Sequence, residues 1–266
     1  MAEEEPVFET TTGPPRIITA ASLFDGHDAA INVMRRLIQS AGAEVIHLGH
    51  DQSAKAVVDC AIQEDAHGIA LTSYQGGHVE YFTYIRQLLD ESGCEHIRIF
   101  GGGGGTITPP EIKTLHESGI SKIYSPDDGR TMGLMGMIHH LMGIASEVDL
   151  IHPDRIASLK GPVTAEDTAK VGLLLTMSES ADDSTFKDTL DMCRSSKKEV
   201  PVIGFTGTGG AGKSSLLDEL MLRILRDNPG KKVCLLCVDP TRKRTGGALL
   251  GDRIRMNSLS NNDLYM

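Results

Sequence analysis

The sequence predicts an α/β protein in two parts: a doubly wound parallel sheet, then the opening of a second, incomplete α/β unit. Three observations carry this reading. Between residues 16 and 145, five short aliphatic runs alternate with amphipathic helical stretches. From about 146 to 198 the alternation loosens into a charged, helix-prone linker. Beyond it, Gly207-Thr208-Gly209-Gly210-Ala211-Gly212-Lys213-Ser214 spells a complete G-x-x-x-x-G-K-[ST] pattern.

Taken in order, residues 1–15 are acidic and then Thr/Pro-rich, and read as a disordered tail. Strands are expected at Arg16–Ala21, Glu44–Leu48, Gly68–Ser73, His96–Phe100 and Lys122–Tyr124. Helices are expected at Ala29–Ser40, Ala54–Glu64, Val79–Glu91, Pro110–Glu117 and Gly129–Met142. Five βα units of this length make a flavodoxin-like sheet, in which ligands bind outside the C-terminal ends of the strands. In the linker, Thr164-Ala165-Glu166-Asp167 reads as a capping box opening a helix that carries Val171, Leu174, Leu175 and Met177. Residues 199–266 begin the second unit, with a strand at Ile203–Thr206, a helix at Ser215–Leu225 and a second strand at Lys232–Val238.

Composition narrows the function. A net charge of −10 argues against a nucleic-acid binder, which would present a basic face. The five cysteines are scattered and odd in number, so no disulfide framework is expected. Cys234 and Cys237 sit three apart in the apolar run 233–238; on a strand they point to opposite faces, which suits core packing and not a metal. Neither a signal peptide nor an 18-residue apolar run is present, which excludes a membrane span and makes the reducing cytoplasm the expected location.

The glycine-rich pattern has a physical purpose. Its glycines turn backbone N–H groups toward a polyphosphate at a helix N-terminus, where the helix dipole also favours negative charge. Gly207, Gly209, Gly210, Ala211, Gly212, Lys213, Ser214 and Ser215 are the candidate nucleotide-binding residues, Lys213 reaching the β/γ-phosphates and Ser214 sitting on Mg²⁺. A nucleotide-hydrolysing domain typically needs about 150–200 residues; no D-x-x-G follows the second strand, and no N-K-x-D is present. The chain is therefore expected to be the front part of a longer protein, without efficient hydrolysis of its own.

Three features fall at the predicted carboxyl edge of the first sheet. Asp25-Gly26-His27 follows strand one, and a carboxylate two residues from a histidine is the arrangement that fixes a metal-ligating imidazole. Thr72-Ser73-Tyr74-Gln75-Gly76-Gly77-His78 closes strand three with hydroxyls and small residues. Gly101 to Gly105 follow strand four and would let a bulky ligand approach the backbone closely.

Together these features resemble the vitamin B12-binding domain of adenosylcobalamin-dependent mutases, whose pattern is D-x-H-x-x-G, S-x-L and G-G at fixed separations. Here Asp25-x-His27-x-x-Ala30, Thr72-Ser73-Tyr74 and Gly101-Gly102 stand at those separations, with 31–71 and 75–100 between them. The resemblance implies that His27 is the lower cobalt ligand in place of the cofactor's own base and that Asp25 is its partner. The displaced nucleotide tail would pass Thr72 and the glycines. Ala30, Thr72 and Tyr74 depart from the family's Gly, Ser and Leu: Thr72 keeps the hydroxyl, Ala30 adds a methyl in the path of the tail, and Tyr74 is bulkier.

Past the second strand, Asp239-Pro240-Thr241 and Thr245-Gly246-Gly247-Ala248-Leu249-Leu250-Gly251-Asp252-Arg253-Ile254-Arg255-Met256 resemble the G-protein chaperones of methylmalonyl-CoA mutase. That resemblance implies bound GTP, with Asp239 and Asp252 near Mg²⁺ directly or through water. The two resemblances in one chain are those of the fused isobutyryl-CoA mutase family. They imply an adenosylcobalamin-dependent radical rearrangement of isobutyryl-CoA to n-butyryl-CoA in a homodimer. The acyl-CoA would be held by a C-terminal (β/α)₈ barrel outside this chain, and the GTPase would gate cofactor loading. No catalytic residue is expected in the present residues. Two other readings stay open: a corrinoid carrier of a methyltransferase, and a degenerate regulatory protein that keeps only nucleotide-dependent interaction.

Overall fold

The computed structural model describes residues 6–164, 166–194, 200–237, 248–250, 252–261 and 263–266. Five parallel strands form the first sheet: β1 (Arg16–Ser22), β2 (Glu44–Gln52), β3 (Gly68–Thr72), β4 (Arg98–Gly102) and β5 (Lys122–Tyr124). Their spatial order is β5-β4-β3-β1-β2, the doubly wound order expected, with the reversal between β1 and β3. Helices α1 (Asp28–Ser40), α2 (Ala54–Gln63), α3 (His78–Glu91), α4 (Pro109–Glu117) and α5 (Pro126–Ser146) make the crossovers.

Alternation along the strands divides the core. Ile18, Ile46, Ile69, Leu71, Ile99 and Ile123 pack with Val57, Phe82, Ile85 and Leu89 on the α2–α3 face. Ile17, Val45, Ala70 and Phe100 pack with Ile38, Ile138, Leu141 and Met142 on the α1–α5 face. Neighbouring positions such as Ile17 and Ile18 serve opposite faces, as period-two geometry demands. Gly133 breaks α5 (φ 66, ψ 173), a left-handed backbone that glycine adopts without steric cost. The first turn of α5 therefore takes a different direction from the part that packs on the sheet.

The expected tail makes specific contacts from residue 6 onward. Phe8 packs against His139, and the Thr11 hydroxyl donates to Asp149 at 2.7 Å. Residues 1–5 lie outside the described residues.

The linker folds as α6 (Pro153–Ala157), α7 (Thr168–Ser180) and α8 (Asp183–Cys193), around Leu159, Leu173, Met177 and Cys193. Asp167 stands at the N-cap position of α7, and its side chain reaches back instead of capping the helix, Oδ2 accepting from the Thr164 N–H and hydroxyl at 2.9 Å each. The helix consequently starts later than the sequence pattern suggested. Helix α7 lies so close to α2 that a Cβ on Gly172 would stand 2.7 Å from the Ile62 carbonyl.

The second unit differs from expectation. Residues 201–206 form no strand, and Val202 and Ile203 are largely exposed. The second expected strand shrinks to β6 (Val233–Cys234), which pairs in parallel with β8 (Leu264–Tyr265). A strand persists only where a neighbour accepts its ladder hydrogen bonds, and among the described residues none lies beside 201–206. Cys234 and Cys237 are accordingly exposed, which corrects the expected core packing. The helix after the glycine loop forms as α9 (Lys213–Asp227), packed through Met221 and Leu225 on Leu264. A short strand β7 (Ala248–Leu250) joins the edge of the first sheet in parallel beside β2.

Asp65 ties the linker to the sheet. Its buried carboxylate accepts from Arg155 at 2.7 Å and from the Thr176 hydroxyl at 2.8 Å, and Arg16 donates to the same hydroxyl at 2.7 Å. Burial alone would raise this carboxyl, but His96, Arg155 and Thr176 outweigh it and hold the group well below the ordinary carboxylate range. A depressed folded-state pKa gives stability that is complete above the unfolded value, about 3.9, and is lost as pH falls below it. Asp65→Asn should cost about 3–5 kcal/mol in urea unfolding at pH 7, the cost of breaking a buried pair. The difference from the parent should shrink steadily below pH 4.

Candidate functional site

The carboxyl ends of β1, β3 and β4 bring the three sequence features together. Asp25 is 1% exposed. Its Oδ1 accepts from the His27 N–H at 2.9 Å and lies 2.8 Å from His27 Nδ1, while Oδ2 accepts from the Tyr74 N–H at 2.7 Å. Burial pushes this carboxyl up, but the two backbone donors and the imidazole prevail and hold it below its ordinary value. It therefore stays ionised at neutral pH and fixes the tautomer in which His27 Nδ1 carries the proton.

The His27 side chain is 71% exposed and stands beside the Tyr74 ring, with centroids 5.4 Å apart. Its Nδ1 is occupied by Asp25, which leaves Nε2 as the nitrogen with a lone pair to offer. That is the chemistry of a single imidazole ligand to a metal carried by a cofactor. Among the described residues, no cluster of three or more His, Cys, Asp or Glu could hold a metal ion by itself.

Beside this imidazole opens a cavity of ≈ 570 Å³ between the sheet and helices α1 and α5. Thr72, Tyr74, Gly102 and Gly103 line it toward the sheet edge, Ala30 from α1, and Leu134, Met137 and Leu141 from α5. Most of the lining is aliphatic. Among the residues that line it, Thr72 has a hydroxyl oxygen that is buried and has no hydrogen-bond partner among the described residues. Such a group costs free energy unless a ligand satisfies it. The residues thus fit a long, partly aromatic tail with a hydrogen-bonding end, and the imidazole beside Tyr74 fits the metal such a cofactor carries.

The glycines divide by cause. A Cβ on Gly101 would stand 2.4 Å from Phe82, so helix packing requires that glycine. A Cβ on Gly103 would stand 1.9 Å from the Ser73 carbonyl, so the approach of two loops requires that one. Gly102 has ordinary room and faces the cavity. The Ser73 hydroxyl is turned inward, accepting from Ser22 at 2.9 Å, and is engaged by the sheet. Sequence reasoning held Gly103 only within the run Gly101 to Gly105 and missed the α5 lining; the apolar spacing of Leu134, Met137, Ile138 and Leu141 was the available signal.

At the glycine-rich loop, Gly212 takes a left-handed conformation (φ 80) and turns the chain into α9. Lys213 spans the loop, its Nζ donating to the carbonyls of Gly207 and Thr208 at 2.9 and 3.0 Å. Gly207, Gly209, Gly210 and Ala211 are exposed, and Ser214 and Ser215 follow Lys213 in the first turn of α9. Asp239 lies outside the described residues. Asp252 opens a 3₁₀ turn, Asp252–Arg255, and its side chain is likewise outside them.

Comparison with known proteins agrees with this geometry. Residues 15–123 match the B12 binding domain family, and residues 171–265 match the methylmalonyl-CoA mutase-associated GTPase MeaB. A fused isobutyryl-CoA mutase of Geobacillus kaustophilus is 50% identical over 94% of this chain and 24% of its own length. The Nocardia farcinica protein of the same name is 49% identical over 95% of this chain and 23% of its own. A 2-hydroxyisobutanoyl-CoA mutase small subunit of Aquincola tertiaricarbonis is 34% identical over 43% of this chain and 82% of its own length. The chain spans about a quarter of the length of the two fused relatives. The chain thus joins a segment of the B12 binding domain family to a segment of the MeaB GTPase family in one polypeptide, and it is similar along nearly its whole length to fused isobutyryl-CoA mutases.

Proposed function

We propose that this chain is the cobalamin- and nucleotide-binding portion of an adenosylcobalamin-dependent mutase that interconverts isobutyryl-CoA and n-butyryl-CoA. A GTP-hydrolysing chaperone domain in the same polypeptide would gate cofactor loading. One observation carries the reading: an exposed imidazole, held through Nδ1 by a buried carboxylate, stands beside Tyr74 of an apolar cavity whose lining residue Thr72 has an unsatisfied hydroxyl.

In this reading His27 Nε2 ligates cobalt, and Asp25, accepting from Nδ1, holds the ring correctly turned. Thr72 gives its hydroxyl to the nucleotide tail, while Ala30, Tyr74, Gly101 and Gly102 shape the passage and Ser73 braces it through Ser22. Bound adenosylcobalamin supplies the radical chemistry of the rearrangement. In the second unit, Gly207 to Ser215 cradle the phosphates of GTP, and Ser214, with Asp239 and Asp252, holds Mg²⁺. The acyl-CoA would occupy a barrel outside these residues, in a homodimer of the whole enzyme in the cytoplasm. No helix among the described residues is long and apolar enough to cross a membrane.

Mixing the chain with adenosylcobalamin should give a visible spectrum of the base-off, histidine-ligated form. That spectrum should vanish in His27→Ala; an unaltered free-cofactor spectrum with the parent chain would refute the proposal. Thr72→Val separates binding from folding. Replacing an unsatisfied buried hydroxyl by a methyl should leave the thermal midpoint unchanged or raised. The same change should weaken cobalamin binding about tenfold, the worth of one hydrogen bond of about 1.4 kcal/mol.

A further inference from the structure

The C-terminal turn of α2, residues 63–65, meets two distant parts of the chain at once. On one side Asp65 holds Arg155 and Thr176 of the linker. On the other, Arg253 donates from Nε to Glu64 Oε1 and from Nη2 to Gln63 Oε1, both at 2.8 Å. The Tyr265 hydroxyl donates to the Gln63 carbonyl at 2.9 Å. The Arg253 side chain is only 9% exposed and that of Glu64 26%, so this is a largely desolvated pair whose separation leaves a charge without its partner.

The segment that carries Arg253 is also tied to the helix that the glycine-rich loop opens. Asp218 of α9, itself buried, accepts from the Ser258 N–H at 2.8 Å and from Asn257 Nδ2 at 3.0 Å. Residues 253–258 therefore hold α9 with one end and α2 with the other. The turn they grip leads within three residues into β3, whose far end carries Thr72 and the cavity.

We propose that residues 253–258 are an intramolecular clasp that docks the phosphate-loop helix on the C-terminal turn of α2, so that nucleotide occupancy and the order of that turn are linked. Linkage of this kind is reciprocal: whatever orders one end of the clasp lowers the cost of ordering the other. The proposal rests on the reading of residues 207–214 as a nucleotide site.

Hydrogen exchange on the intact chain tests it, with and without Mg²⁺ and guanosine 5′-(β,γ-imido)triphosphate. The nucleotide should slow exchange at 213–220 and at 61–66 together. In Arg253→Glu, exchange at 61–66 should rise about tenfold and no longer respond to nucleotide, while 213–220 still does. The charge-swapped variant Glu64→Arg/Arg253→Glu should restore the response, which a variant that merely misfolds cannot do. Protection at 213–220 with none at 61–66, a response that survives Arg253→Glu, or a swap that restores nothing would each overturn the clasp. Absence of protection at 213–220 would overturn the nucleotide site itself.

Discussion

Asp25 is an anion almost wholly withdrawn from water, and the carboxyl edge of the sheet is arranged to keep it there. A buried carboxylate costs several kcal/mol unless donors surround it, and the structure gives it three, from two different loops. The His27 backbone and ring come from the β1–α1 loop; the Tyr74 N–H comes from the β3–α3 loop. Satisfying one charge thus fixes both loops with respect to each other. The direction of the imidazole and the position of the cavity mouth follow from that single requirement. The Ser22–Ser73 hydroxyl pair beneath it reinforces the same junction.

The first unit was legible because its local and global signals agree. Aliphatic runs with opposite-facing neighbours, such as Ile17 and Ile18, make strands buried on both sides, and helices α1 to α4 each have a clear apolar stripe. Strand and helix positions therefore fall within a few residues of the expected ones, and Lys122–Tyr124 coincides. The three edge features converged because the doubly wound topology leaves them nowhere else to go. What the sequence could not convey was the direction of individual side chains. Ser73 and Thr72 are adjacent hydroxyls, yet one is consumed by the sheet and the other is left buried without a partner among the described residues. Gly101 and Gly103 look alike in a run of five, but helix packing demands one and a loop contact the other.

The second unit shows the opposite case. The sequence around Ile203–Thr206 and 233–238 is as apolar as a buried strand should be, and the expectation was reasonable on periodicity alone. Strand formation is not a local property, however; it requires a paired neighbour on at least one side. The glycine loop and α9 form because their hydrogen bonds are internal, as the Lys213 contacts and the helix itself illustrate. The apolar residues before the loop, Val202 and Ile203, are left in solvent for want of a ladder. Local chemistry was readable here, and tertiary context was not.

The Asp65 cluster carried no recognisable motif, since its members lie at 16, 65, 155 and 176 and only the fold assembles them. Its effect is nonetheless specific. Arg155 belongs to α6 and Thr176 to α7, so one carboxylate fastens two linker helices to the end of α2, and the close approach at Gly172 presses α7 against the same end. A linker held by burial and paired charge moves with the sheet; one held by surface contacts alone would slip. The stretch between the two units is therefore built as an extension of the cobalamin-binding domain. A displacement of the nucleotide-binding unit would reach the sheet as a push on the turn that precedes β3, at the opposite end of the strand from the cavity.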